Sequence, residues 1–228
     1  MQYQVKGTVM PHLEIQLGPG ESVYTESGAM AWMDAGIEMS TAGRGGLGGM
    51  LKRMVTSESV FVTNFRSESG GDMVAFVSEV PGAIIPIELR EGESIIAQKD
   101  SFLVAEQSVE FSAIFTKRIG GGLLGGEGFI LQRFTGPGLV FVAVGGEAQE
   151  YDLAAGQTLK VDTGHVAMFE PSVEYDIAMV KGVSNILFGG EGLFLATLSG
   201  PGKVWLQRMP IRNLAAAVLR FMPKRRGG

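Results

Sequence analysis

Residues 20–43 read GESVYTESGAMAWMDAGIEMSTAG, residues 92–115 read GESIIAQKDSFLVAEQSVEFSAIF, and residues 156–179 read GQTLKVDTGHVAMFEPSVEYDIAM. The three segments align over their 24 positions without a gap. Each opens on a glycine: Gly20, Gly92 and Gly156. Three positions on stand Val23, Ile95 and Leu159, and ten positions on stand Met30, Phe102 and Val166. Near the end come Ile37-Glu38-Met39, Val109-Glu110-Phe111 and Val173-Glu174-Tyr175. Self-similarity at a fixed spacing is the mark of internal duplication. Short alternating apolar runs punctuated by glycine read as β-strands joined by tight turns.

The likeness extends on both sides. A short alternating run ending in leucine precedes each segment: Leu13–Leu17, Ile85–Leu89 and Tyr151–Leu153. Downstream, 58–62, 127–131 and 191–195 each open on Glu and continue into an apolar strand. Units two and three then share a Gly-Pro-Gly turn, at 136–138 and 200–202, where unit one has SESGGD at 67–72. The units run near 13–84, 85–148 and 149–210, with about five or six strands each. No Pro-rich or charged linker separates them, so residues 1–210 are expected to form one domain. An unpaired β edge is a liability, and three units can protect their edges by packing about a common axis. The expected fold is therefore all-β: three tandem repeats in a closed, pseudo-threefold β-sandwich. The remainder, 211–228, predicts one helix over Leu214–Phe221, capped by Asn213 and stopped by Pro223, with a basic tail behind it.

Composition bounds the rest. The 228 residues are 45% hydrophobic and 19% charged, which suits a buried core. There are 34 glycines and no cysteine, so disulfides, thiolate metal sites and a cysteine nucleophile are excluded. The opening MQYQVKGTVM has no positive region ahead of an apolar stretch, and no apolar run reaches membrane-spanning length. A cytoplasmic location is the expectation. The net charge of −5 disfavours nucleic acid as a partner.

SGAMAWMD (27–34), GGLLGGEGFILQRFTGPG (121–138) and ILFGGEGLFLATLSGPG (186–202) carry a family likeness. With the repeat, they make the chain resemble the altered-inheritance-of-mitochondria protein family from Met1 to Pro210. The yeast member of that family is linked to mitochondrial organisation, and its prokaryotic members are largely uncharacterised. The resemblance implies a fold like that of the tryptophan-RNA-binding attenuation protein, related to the double-stranded β-helix. It implies no catalytic residue.

Two stretches match G-x-G-x-x-G, at 43–48 and 120–125. A dinucleotide site needs that turn between a strand and a helix, whereas β patterns flank both matches here. The same glycine-rich stretches carry Leu47, Leu51, Leu123 and Leu124, and unit three has Ile186, Leu187 and Phe188 in the equivalent place. Arg44, Lys52, Arg53, Lys117, Arg118 and Lys181 flank them. Individually the leucines read as core. As a group the three stretches read as an apolar contact face with a cationic rim.

Acidic residues repeat in two columns: Asp34, Glu106 and Glu170, then Glu38, Glu110 and Glu174. The first column precedes turn-like tripeptides, where an acid anchors the turn. The alternative is a ring of carboxylates that holds a hard cation through oxygen ligands. His12 and His165 are the only histidines, and no Ser-His-Asp pattern is recognisable. The aromatics alternate within apolar strands and no basic residues interleave with them, which does not suit an RNA-stacking surface. Arg220, Lys224, Arg225 and Arg226 could contact anionic lipid, but only at ~1 kcal/mol per residue.

The sequence thus predicts a non-enzymatic scaffold or interaction protein that needs no cofactor. It is expected to be a homo-oligomer, with an unidentified protein partner, acting through the Gly/Leu stretches. A module that binds a cation or small ligand through the carboxylates is the alternative. RNA binding or an enzyme on the same fold stand behind it.

Overall fold

The computed structural model describes residues 1–26, 28–43, 61–115, 130–179, 194–219 and 221. Its strands follow the pattern of the sequence. β1 (Gln2–Lys6) comes first. Then follow β2 (His12–Leu17), β3 (Ser22–Glu26), β4 (Met30–Met33), β5 (Ile37–Gly43), β6 (Phe61–Ser67) and β7 (Asp72–Val77). The next six are β8 (Gly82–Leu89), β9 (Ser94–Gln98), β10 (Phe102–Glu106), β11 (Glu110–Phe115), β12 (Ile130–Thr135) and β13 (Gly138–Gly145). The last six are β14 (Ala148–Leu153), β15 (Thr158–Asp162), β16 (Val166–Phe169), β17 (Glu174–Met179), β18 (Phe194–Ser199) and β19 (Gly202–Gln207). One helix, α1 (Ile211–Leu219), ends the described chain. The expected unit boundary at 84/85 falls inside β8, and the break between strands lies before Gly82.

The three glycines that open the aligned segments sit in one kind of turn. Gly20, Gly92 and Gly156 have φ of 74°, 78° and 79°. This is the left-handed conformation that the third residue of a type II turn requires. In each turn the fourth residue's N–H donates to the first residue's carbonyl: Glu21 to Gly18, Glu93 to Arg90, Gln157 to Ala154. Its side-chain oxygen accepts in return from the first residue's N–H, at 2.7, 2.9 and 3.0 Å. The turn is thus closed from both sides.

The strands form four antiparallel sheets. Sheet I runs β1-β2-β7-β4 and sheet IV runs β15-β18-β17. Sheet II runs β5-β6-β3-β10-β13-β8 and sheet III runs β11-β12-β9-β16-β19-β14. Sheet III repeats the succession of sheet II with every strand number raised by six. Each six-stranded sheet therefore joins three strands from one third of the chain to three from the next. The joints are short: β3 meets β10 at Ala105↔Tyr24 and Glu106↔Val23, and β9 meets β16 at Met168↔Ala97 and Phe169↔Ile96. The expected closure is not found. Among the described residues none of the four sheets closes on itself, and β4 and β15 each end a sheet instead of joining.

Three buried clusters lie between successive sheets. Leu13, Ile15, Val74 and Phe76 of sheet I pack with Phe65, Leu103 and Phe141 of sheet II. Tyr24, Phe102, Val140 and Val142 of sheet II pack with Ile95, Phe134 and Met168 of sheet III. Ile96, Leu131, Phe169 and Val204 of sheet III pack with Val161, Ala196 and Leu198 of sheet IV. Sheets II and III are buried on both faces. β13 shows why its sequence is apolar without alternation: Phe141 and Ala143 face one cluster, Val140, Val142 and Val144 the other. At the outside of sheet IV alternation returns, with Thr158, Lys160 and Asp162 exposed around buried Val161.

The helix begins three residues earlier than expected, at Ile211 instead of Leu214. Pro210 precedes it, and its carbonyl accepts from Asn213 and Leu214. Asn213 therefore lies in the first turn instead of capping it, and Phe221 lies beyond the last turn.

Phe141 is fully buried and meets the Tyr3 ring edge-on at 4.9 Å. Phe141→Ala should lower stability by about 3–5 kcal/mol, measured by chemical denaturation.

Candidate functional site

The acidic columns are the repeated polar feature that the structure describes in full, and their two halves differ. The first column is anchored to backbone. The Asp34 carboxylate accepts from Met73 N–H at 2.8 Å, Glu106 from Leu139 at 2.8 Å, and Glu170 from Lys203 at 2.9 Å. Each acid's own carbonyl accepts from the residue three on: Ile37, Val109 and Val173. So each acid ends one strand, closes the turn into the next and clamps a neighbouring strand. The Gly-Pro-Gly turns make room for the clamp. Gly138 and Gly202 have φ of 134° and 140°. A Cβ on Gly138 would sit 2.7 Å from Glu106 Oε2, and one on Gly202 would sit 2.5 Å from Ser172 Oγ. Only glycine fits both demands.

The second column stays in solvent. Glu38, Glu110 and Glu174 are exposed on β5, β11 and β17, which belong to sheets II, III and IV. The columns do not converge into a ring. Among the described residues no three His, Asp or Glu side chains lie close enough together to hold a metal ion. The carboxylates that sequence reading offered to a cation are spread over separate sheets, and half of them are already engaged by backbone N–H groups.

The histidines sit apart. His12 is half-buried on sheet I, with Nε2 3.2 Å from Glu14 Oε1 and its ring 5.1 Å from that of Trp32. Glu14 also accepts from Lys6 Nζ across the β1–β2 pair. The Lys6 ammonium, and after it His12, holds Glu14 below the ordinary carboxylate value. His165 Nδ1 lies 2.8 Å from the Gln207 carbonyl, and its Nε2 is 3.3 Å from Asn213 Nδ2. It thereby links β19 to α1. Neither histidine faces a serine or a second acid in a catalytic arrangement among the contacts described.

The Gly/Leu residues Leu47, Leu51, Leu123, Leu124, Ile186, Leu187 and Phe188 lie outside the described residues. The strands that carry those stretches do not. β5 and β6 pair as far as Gly43↔Phe61, β11 and β12 as far as Phe115↔Ile130, and β17 and β18 as far as Met179↔Phe194. All three stretches connect the ends of antiparallel hairpins. That pairing rules out a dinucleotide fold for the G-x-G-x-x-G matches, since such a fold requires parallel strands joined by a helical crossover.

Sequence reading missed the exposed apolar residues Val9 and Met10 near the start of the chain and Met209, Val218, Leu219 and Phe221 near its end. An apolar cleft runs between Val80 and the helix residues Ile211, Leu214 and Val218. No described helix is long and apolar enough to cross a membrane.

A family model described as mitochondrial biogenesis AIM24 matches residues 3–209. The chain is 29% identical over 221 residues to the uncharacterized protein M6_Spy0233 of Streptococcus pyogenes serotype M6, covering 93% of this chain and 87% of that protein. The crystal structure of protein SPYM3_0169 from Streptococcus pyogenes superposes with a TM-score of 0.79 at 26% identity, covering 97% of this chain and 99% of that one.

Glu170→Ala should leave the Lys203 N–H without its acceptor and cost about 1–3 kcal/mol, read from denaturation midpoints. Millimolar Mg²⁺ or Ca²⁺ should leave that loss unchanged. The depressed Glu14 value gives a second expectation. Its stabilising effect on β1 is complete above the ordinary carboxylate range and is lost as pH falls through the lowered folded value. In Lys6→Met, the NMR titration midpoint of Glu14 should move back up.

Proposed function

The chain belongs to the mitochondrial biogenesis AIM24 family, and on that premise we propose that it is a non-enzymatic scaffold that acts through its three Gly/Leu-rich stretches. One observation carries the reading. The stretches 44–60, 116–129 and 180–193 each connect the ends of an antiparallel hairpin, β5–β6, β11–β12 and β17–β18, six strands apart in the chain. Equivalent attachment gives the three stretches a common origin in the fold. Their sequences supply leucine, isoleucine and phenylalanine beside arginine and lysine. An apolar patch rimmed by cations suits contact with protein, including further copies of the same chain.

The scaffold itself reads as three tandem units of six strands, in the manner of the tryptophan-RNA-binding attenuation protein. The equal glycine turns, the equal carboxylate clamps and the six-strand offset between sheets II and III support this reading. The acids of the first column serve the backbone, which supports a structural role for them over chemistry.

The test is a triple variant, Leu47→Asp, Leu124→Asp and Leu187→Asp. The parent should sediment as an oligomer at micromolar concentration, and the variant at a smaller mass with unchanged far-UV circular dichroism. Equal sedimentation of the two, or a strictly single-chain parent, overturns the loop-face reading.

A further inference from the structure

Two strand edges that should be partners are both left open. β10 and β16 each end with an acid, Glu106 or Glu170, clamped to the neighbouring strand, and each pairs with a strand from the preceding third of the chain. β4 is built in the same way. It is followed by Asp34, clamped to Met73, and its pairing with β7 shifts between Met30 and Trp32. β10 shifts against β13 between Phe102 and Val104, and β16 against β19 between Val166 and Met168, at aligned positions. Yet β4 ends sheet I with no further partner among the described residues. On the other side, β3 and β9 serve as the partners at the two joints. β15 is the third strand of that set, and it ends sheet IV with no further partner among the described residues. The register at the joints is the same: Ala105↔Tyr24 and Phe169↔Ile96 occupy aligned positions, and the missing third pair is Met33↔Lys160.

Burial records the vacancy. Val104 and Met168 are both 0% exposed, whereas Trp32 at the aligned position is 45% exposed. Ala31 is also exposed, and no residue of Met30–Met33 is charged. An apolar edge without charge is a template for another strand. On β15 the position held by buried Tyr24 and Ile96 in the other sets is Lys160, which is exposed. Two β15 edges brought together would set like charges near one another, which disfavours self-pairing. The uncharged β4 edge carries no such penalty.

We infer that β4 of one chain pairs with β15 of a second copy, which joins sheet I of one molecule to sheet IV of the next in the six-strand succession of sheets II and III, with β1 added at the outer edge. The inference rests on the three-unit reading and is independent of the Gly/Leu stretches. The contact uses different surfaces on the two copies, so it is head-to-tail and generates a ring or a filament.

The absence of native cysteine makes the test direct. Met33→Cys and Lys160→Cys chains are purified separately, mixed and mildly oxidised. A disulfide-linked pair containing one chain of each kind, at twice the chain mass and absent when either variant is oxidised alone, is the expected result. Predominant like-with-like dimers in the single-variant samples overturn the proposal, because they require a symmetric contact. A chain carrying both substitutions that forms an internal disulfide at high dilution overturns it as well, since the seam then closes within one molecule. So does failure of the folded variants to cross-link.

Without cysteine chemistry, Ala31→Lys on the β4 edge should reduce the sedimenting mass at an unchanged melting temperature. An unchanged mass counts against the seam. The triple aspartate variant separates the two readings. With Met33→Cys and Lys160→Cys built into it, a persisting mixed disulfide supports the seam even if the loop face fails. Loss of the disulfide in that background alone shows that association depends on the loop stretches, and the seam is then rejected.

Discussion

Backbone pairing between β3 and β10, and between β9 and β16, is the constraint on which the architecture depends. Each joint spans two residue pairs, yet each fuses two three-stranded groups into one sheet. Strand edges inside a core cannot leave their N–H and C=O groups without partners. Once those edges are bonded across groups, sheets II and III are necessarily buried on both faces. Residues on both sides of β13 then have to be apolar, and Tyr24 has to place its hydroxyl on the Val109 carbonyl at 3.2 Å to be buried at all. The carboxylate clamps hold the strands at the right height for this pairing, because Glu106 and Glu170 terminate the very strands that make the joints.

The polar features of the chain fit that requirement better than they fit chemistry. The first acidic column accepts backbone N–H bonds, the second stays in solvent, and each histidine is engaged in local structure. Glycine at 138 and 202 leaves space for the clamp. A fold assembled in this way has the first acidic column committed to holding strands together.

Much of this was legible in the chain. Gly20, Gly92 and Gly156 announced identical turns because only glycine takes a positive φ without strain. The acid columns announced turn anchors because they stood next to turn tripeptides. The helix start was misjudged, because Asn213 resembles a cap in isolation while Pro210 supplies the accepting carbonyl. The carboxylate ring failed for a different reason. Equivalent positions in a repeat share local structure, but they belong to different sheets, and alignment carries no information about the distance between them.

The sequence by itself determined the strand class and the turn positions, since these depend on φ preferences and alternation within a few residues. Only the tertiary structure decided which edges meet. Pairing between β3 and β10 joins residues about eighty positions apart, and nothing local distinguishes β4 from β10 or β16 as an unpaired strand. The one trace in the sequence is Lys160 where Tyr24 and Ile96 stand in the other two segments. Its meaning appears only when sheet IV is seen to end at β15, because two copies of that edge brought together set like charges against each other, while an uncharged partner edge does not.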